Sequence, residues 1–246
     1  MDIFIISLPE ASKRRERIAK ILDESQLVYT VFDAVNGHNG LPSSLVHLPD
    51  DGFRKVFKSR PLSKGERGCY ASHYLLWRKC IELNRPIVIL EDDAIPLAGF
   101  KDALAELECL HRTYGYIRLE TQFGSHSKIN SVNTCVDLVF WDANDMRTGG
   151  YSISPEGAKA FLDASNRWLY SVDYFIGSSY LHHVPAIGLF PPIVSAPNDL
   201  GTYIQLDAKT KVNFTYKITR EIYRFYRSCR MKLWNLSWKV RSRCRT

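Results

Sequence analysis

Ile87-Val88-Ile89-Leu90-Glu91-Asp92-Asp93 decides the fold of this chain: four aliphatic residues in unbroken succession, then three carboxylates. A run without polar alternation fits a strand buried on both faces, as in parallel sheets covered by helices. Three acids placed together at the end of such a strand repel one another and raise one another's pKa. A divalent cation that prefers oxygen ligands relieves that repulsion, so the cluster predicts Mg²⁺ or Mn²⁺; a solvated acidic turn is the plainer alternative. Alternate strand residues share a face, which makes Glu91 and Asp93 the expected metal ligands and turns Asp92 towards another partner.

Upstream, Ser63-Lys64-Gly65-Glu66 has the spacing of a capping box, and a helix is expected from Lys64 to about Leu83. The short link Asn84-Arg85-Pro86 forces that helix to run antiparallel to the strand. At about 1.5 Å per helical residue against roughly 3.3 Å per strand residue, Cys69 to His73 then lies level with Glu91 to Asp93. Ser72 and His73 are thereby expected to face the acidic cluster.

The start of the chain repeats the theme. Asp2 to Leu8 reads as a buried strand, Ser12 to Ser25 as a helix with Ile18, Ile21 and Leu22 on one face, and Tyr29 to Val35 as a second strand. Residues 36–61 show weak periodicity and receive no assignment. Beyond the acidic cluster a helix is expected near Gly99 to Arg112 and strands at Tyr114 to Glu120, Thr134 to Trp141 and Tyr151 to Ile153. A further helix is expected from Pro155 to about Ser165. This alternation predicts an α/β sandwich around a mostly parallel sheet, with ligands gathering at the carboxyl ends of the strands.

Composition narrows the class. With 246 residues, 45% hydrophobic and 24% charged, the chain reads as an ordinary globular protein and excludes fibrous and repeat architectures. No stretch has the roughly 18 uninterrupted apolar residues of a membrane span, and the beginning lacks the pattern of a secretory signal, so a cytosolic location is expected. Six cysteines without a CxxC pair argue against zinc and against a disulfide framework. Charge is uneven: residues 217–246 hold ten Lys or Arg against Glu221 alone, a net +9, leaving −2 for residues 1–216 out of a total of +7. The division expected is a body, 1–216, and a basic segment, 217–246. Read as a helix, that segment carries Ile218, Ile222, Phe225, Tyr226, Cys229, Leu233, Leu236 and Val240 on one stripe, with Trp234 and Trp238 near its end. A basic amphipathic helix of this kind predicts association with an anionic membrane surface, the alternative being a helix packed on the body. Nucleic acid is not expected as a partner, since neither a motif nor a basic body supports it.

Gly65-Glu66-Arg67-Gly68-Cys69-Tyr70-Ala71-Ser72-His73 followed by Ile89-Leu90-Glu91-Asp92-Asp93 resembles the paired signature of glycosyltransferase family 25, the lipopolysaccharide glycosyltransferases. Residues 3–8 with Arg14 and Arg15, Phe32 to Gly37, Gly150 to Ser154, and Val172-Asp173 are also similar to that family. The resemblance implies a GT-A type, Rossmann-like α/β/α sandwich. It implies inverting transfer of a hexose, galactose or else glucose, from a UDP-hexose donor to a lipooligosaccharide acceptor. In such an enzyme Glu91 and Asp93 match the outer positions of a metal-holding acidic motif, with His182 or His183 as a further ligand, His183 being the one assigned. Asp173 is the expected base that takes the acceptor proton, with Glu120 in reserve. The donor is expected to lie against Ser7, Leu8, Asp33, Ala34 and Val35, with Arg14 or Arg15 reaching its diphosphate and Ser72, His73, Asp92, Gly150 and Tyr151 completing the site. The location implied is cytoplasmic, peripheral on the inner face of a bacterial inner membrane. Two rival readings are a catalytically silent nucleotide-sugar-binding domain that recruits partners to membranes and a metal-dependent phosphoesterase.

Overall fold

In the computed structural model, which describes residues 1–121, 124–142, 147–195 and 214–243, the chain opens with strand β1 (Asp2–Ser7), helix α1 (Ser12–Glu24) and strand β2 (Tyr29–Asp33). Helices α2 (Asp51–Lys58) and α3 (Lys64–Leu83) then lead into β3 (Ile87–Glu91). β1 pairs in parallel with both β2 and β3, with Ile6 opposite Phe32 on one side and Glu91 on the other. Alternation within these apolar runs feeds two cores. Phe4, Ile6, Ile87 and Ile89 pack with Tyr70, Trp77 and Phe161 on one face of the sheet, while Ile3, Ile5, Val88 and Leu90 pack with Ile18, Leu22, Phe100 and Leu107 on the other. Burial on both faces is why the sequence runs are continuous rather than alternating.

The remaining elements are β4 (Ile95–Pro96), α4 (Phe100–Leu110), β5 (Tyr116–Arg118), β6 (His126–Ser131), β7 (Asp137–Trp141) and β8 (Gly150–Ile153). After them come α5 (Pro155–Ala164), α6 (Val172–Ile176), α7 (Ser179–His182), β9 (Ile187–Phe190), β10 (Val194–Ser195) and α8 (Phe214–Arg243). The main sheet has eight strands in the order β2-β1-β3-β8-β5-β9-β7-β6. A mostly parallel sheet was the expectation; the pairing is mixed. β2–β1, β1–β3 and β5–β9 are parallel, but β3–β8, β8–β5, β9–β7 and β7–β6 are antiparallel. β8 and β7 run against the other six strands, because an apolar run specifies burial on both faces and carries no information about direction. β6 escapes the hydrophobic pattern altogether, being an edge strand with all six residues exposed.

The unassigned segment 36–61 contains α2, capped by the Asp50 side chain, which accepts a hydrogen bond from the Phe53 N–H. Its apolar residues Phe53 and Phe57 meet Tyr223 of α8 at ring-centroid distances of 5.3 and 5.2 Å, a partner some 170 residues away in sequence. α8 is held to the body along its length. Thr219 donates to the Val56 carbonyl, the Tyr223 and Tyr170 hydroxyls bond, and Arg227 lies over the rings of Tyr170 and Tyr174. Farther on, Asn235 donates to the Asp142 carbonyl and Trp238 stacks on Phe140 at 4.1 Å. Trp234 and Trp238 therefore turn towards the protein, contrary to their expected place at a membrane interface, and it is the aliphatic stripe that is left outside. Removing the central ring tests this docking: Tyr223→Ala is expected to destabilise the fold by about 2 kcal/mol in urea unfolding and to make α8 a preferred site of limited proteolysis.

Candidate functional site

A cavity of about 110 Å³ opens at the carboxyl ends of β1, β2 and β3, walled by Ser7, Leu8, Ala34, Val35, Glu91 and Asp92 with Cys69, Ser72 and His73 from α3. Its shape depends on a close helix approach. A Cβ on Gly68 would lie 2.3 Å from the Val35 carbonyl oxygen and 2.6 Å from the Gly37 nitrogen. One on Gly37 would lie 1.8 Å from the Lys64 carbonyl oxygen. Ser72 closes the same wall, donating to the Gly68 carbonyl at 2.8 Å and accepting from the Val35 N–H at 2.9 Å. Its hydroxyl is thus spent on holding the end of β2 against α3.

Behind the wall runs a directed chain of hydrogen bonds. The Trp77 indole N–H donates to the Tyr151 hydroxyl at 2.9 Å, so that hydroxyl directs its own proton to His73 Nδ1, also at 2.9 Å. His73, fully buried, must then carry its proton on Nε2, which faces Glu91 Oε1 at 3.3 Å. The Thr148 hydroxyl donates to the same oxygen. Burial acts to raise the Glu91 pKa, but the His73 contact, Thr148 and the Arg14 charge outweigh it and hold the carboxyl below its ordinary value. Among the described residues Glu91 Oε2 accepts no hydrogen bond.

The other two acids of the cluster lie past the end of β3, both near Arg14. Asp92 turns to the body, accepting from the Ser7 hydroxyl at 2.6 Å and from Arg14 at 3.0 Å, in an ion pair with side chains only 10% and 9% exposed. Asp93 lies 3.9 Å from Arg14. Burial, followed by the Glu91 charge, pushes its pKa up to about 6. Glu120, just past β5, is 2% exposed and accepts from Arg118 at 3.1 Å through Oε1. Its Oε2 is buried without a partner among the described residues. Burial pushes Glu120 up to about 8, Arg118 opposes this, and the charges of Glu91 and Asp93 add to it. The charges of Glu91 and Asp93 reach Glu120, but among the described residues these three carboxylates do not bring their oxygens within 4.8 Å of one another, so a cation held by all of them would have to draw the side chains together.

Among the described residues it is Cys69, His73 and Glu91 that bring ligand atoms within 4.8 Å of one another, yet their hydrogen bonding suits a cation poorly. Metal on His73 Nε2 would drive the imidazole proton to Nδ1, leaving the buried Tyr151 hydroxyl with two donors aimed at it and no acceptor for its own proton. Burial also drives the Cys69 thiol well above its ordinary pKa, so a cation there would have to displace a firmly held thiol proton.

The remaining candidates scatter. Arg15 is engaged locally, donating to the Ser7 and Leu8 carbonyls and to Asp33 at 2.7, 3.0 and 2.6 Å. Gly150 pairs with Leu90 inside the sheet, and Tyr151 acts from behind His73. Asp173, in the first turn of α6, is half-buried. Burial raises its pKa while the Ser171 hydroxyl and the Tyr174 N–H lower it, and the charges of Glu66 and Glu91 raise it further. His182 is a core residue, accepting from the Val184 N–H on Nδ1 and donating from Nε2 to the Ile176 carbonyl; burial takes its pKa down to about 3. His183 is exposed, packs on Trp234 at 5.1 Å and lines a different cavity from Glu91. Sequence reasoning did not single out Thr148 or Glu120's partner Arg118, and it placed Cys69 level with the acidic cluster without giving it a role. Cys69 is one helical turn before His73 and was open to that arithmetic, whereas nothing in the sequence ties Thr148 to Glu91.

Residues 1–176 match the family described as glycosyltransferase family 25 (LPS biosynthesis protein). The chain belongs to glycosyltransferase family 25. It is 31% identical over 198 residues to procollagen galactosyltransferase 2 of Homo sapiens, covering 74% of this chain and 30% of that protein. It is 34% identical over 110 residues to the inactive glycosyltransferase 25 family member 3 of Mus musculus, covering 43% of this chain and 19% of that one. The chain thus spans about a third or less of the length of these relatives. The solved structure of A197 from STIV superposes with a TM-score of 0.38 at 13% identity, over 76% of this chain and 80% of that one, a likeness too loose to carry an argument.

Two expectations follow for this family 25 member. Tyr151→Phe leaves the Trp77 N–H and His73 Nδ1 unpaired in the core, each worth roughly 1–3 kcal/mol, so a clear fall in thermal stability should accompany a loosened Glu91. In the cation-free protein the folded state keeps Asp93 and Glu120 protonated at pH values where the unfolded chain has released those protons. Stability should therefore fall as pH rises from about 4 through about 6 and on towards about 8. Differential scanning calorimetry across that range should show the decline, Glu120→Gln should flatten its upper part, and Mn²⁺ should raise Tm more at pH 8 than at pH 5.

Proposed function

We propose that this chain is an inverting hexosyltransferase of the GT-A type, moving galactose, or else glucose, from a UDP-sugar to a hydroxyl of a lipooligosaccharide at the cytoplasmic face of a bacterial inner membrane. The observation that carries this reading is the cavity at the carboxyl ends of β1, β2 and β3, where open α/β sheets take their ligands, walled by Glu91 and Asp92 and within electrostatic reach of Asp93 and Glu120. The family's description as an LPS biosynthesis protein supports the acceptor class, and the galactosyltransferase relative supports the sugar.

In this reading Glu91 and Asp93 hold Mn²⁺ or Mg²⁺, which when bound neutralises charge developing on the departing diphosphate. The chain's own residues do the rest. Ser7, Leu8, Ala34 and Val35 offer backbone groups to the nucleoside, and the bond between Ser72 and Val35 keeps that edge in place. His73, locked as the Nε2–H tautomer, keeps Glu91 ionised and oriented. Arg14 is already paired with Asp92, so its part is to hold the acidic turn and add positive charge beside Asp93 rather than to swing freely to a phosphate. Asp173 takes the proton of the attacking acceptor hydroxyl. Its half-buried position lets it touch an acceptor, and its raised pKa makes it a better proton acceptor than an ordinary aspartate. Glu120 is more deeply buried and tied to Arg118, which suits it to the cation site and leaves it the reserve for the base.

Incubation with a panel of UDP- and GDP-hexoses, with and without a saccharide acceptor, tests the whole reading. Acceptor-dependent UDP release with a product of inverted anomeric configuration is expected, lost in EDTA and nearly abolished by Asp93→Ala. Phosphate release without acceptor would indicate a phosphoesterase, and donor binding without turnover a silent binding domain. Asp173→Asn is expected to lower kcat roughly 100-fold or more with little change in UDP affinity; an unchanged kcat moves the base to Glu120.

A further inference from the structure

We propose that α8 seats the protein on an anionic bilayer surface through the face it turns away from the body. The helix has two opposite apolar sides. At about 100° per residue, Tyr223, Arg227, Trp234 and Trp238 share one side, and that side is docked on α2, α6 and β7. Ile218, Ile222, Phe225, Leu233, Leu236 and Val240 share the other and are 48%, 65%, 73%, 64%, 62% and 56% exposed. A stripe of this extent on a helix already fixed by its other side is not a core-facing stripe, and it marks an interaction surface.

Charge selects the occupant. By the same angular arithmetic, Lys217, Arg224 and Lys232 border the stripe along one flank, all three exposed, with Glu221 paired to Arg224 as the one acid there, while Arg230 and Arg241 turn towards the docked side and lie over Tyr180 and Trp234. A second copy of this chain laid on the stripe would bring two such basic borders together, whereas an anionic lipid surface neutralises them while its acyl region accepts the aliphatic side chains. No helix among the described residues is long and apolar enough to cross a membrane, so α8 lies along the surface. Its docked side borders the proposed acceptor end: Arg227 covers Tyr174, the neighbour of Asp173, and Lys58, which feels the Asp173 charge, sits over Tyr170 and Tyr223. An acceptor carried in the same bilayer would arrive beside Asp173. That last consequence rests on the glycosyl-transfer reading; the seating itself does not.

The test is sedimentation of the full chain with vesicles of phosphatidylcholine alone or with about one third phosphatidylglycerol, read together with light scattering and, separately, transfer to a water-soluble acceptor. The full chain should sediment with the anionic vesicles, at least tenfold more weakly with the zwitterionic ones, and should be largely released by high salt, since surface attraction is screened within about 8 Å at physiological ionic strength. Phe225→Asp combined with Leu233→Asp changes only exposed side chains. It should leave Tm and transfer to the soluble acceptor unchanged while lowering vesicle binding at least tenfold. A chain that stays in the supernatant, a double variant that binds as well as the parent, or a dimer that this variant splits would overturn the proposal, the last by assigning the stripe to a second copy. Vesicle binding reads no sugar chemistry, so a chain without transferase activity that still sediments retains the seating and loses only the enzyme.

Discussion

Repulsion among Glu91, Asp93 and Glu120 is the constraint to which the middle of the molecule answers. Three carboxylates in a mostly water-excluded place resist being charged together, and each is treated differently by its surroundings. Glu91 is kept ionised by donors aimed at one of its oxygens, Asp93 is half-relieved by Arg14, and Glu120 is pushed towards its neutral form. The same repulsion is why the folded state is expected to lose stability as pH rises. Asp92 sits among them without adding to the problem, because Ser7 and Arg14 hold it on the other side of the turn.

Fixing Glu91 takes a hydrogen-bond chain that starts deep in the core. Trp77, Tyr151 and His73 belong to α3 and β8, and their order of donation leaves one tautomer for the imidazole. β8 must therefore sit next to β3, and α3 must lie flush on the sheet, for the chain to close. Gly68 and Gly37 permit that approach, since a methyl group at either would overlap backbone atoms. Packing, sheet order and the electrostatics of one carboxylate are in this sense a single requirement.

α8 meets a different demand. Its aromatic side completes the surface of α2 and the Tyr170 region, while its aliphatic side is left in solvent within a basic border. Burying both sides would need a partner with negative charge and an apolar interior, and exposing both would leave Phe53, Phe57 and Phe140 uncovered. A lone amphipathic helix of this composition has no reason to prefer one side; the ring contacts to the body make the choice.

What the sequence by itself determined was local and periodic. The capping box placed the start of α3 at Lys64, the unbroken run Ile87 to Leu90 announced a strand buried twice, and the rise per residue set His73 level with Glu91. These follow from spacing along one element and a short connection. Membership of family 25 was legible for the same reason, since its signature is two such elements and the link between them. Only the tertiary structure decided which way β7 and β8 run, that Thr148 and Tyr151 serve Glu91 and His73, that His182 is spent on the backbone, and which side of α8 faces out. Each of those depends on contacts between residues far apart in the chain, and neither hydrophobic period nor residue type encodes a partner's position: periodicity says that a side chain is buried, while only the assembled fold says against what.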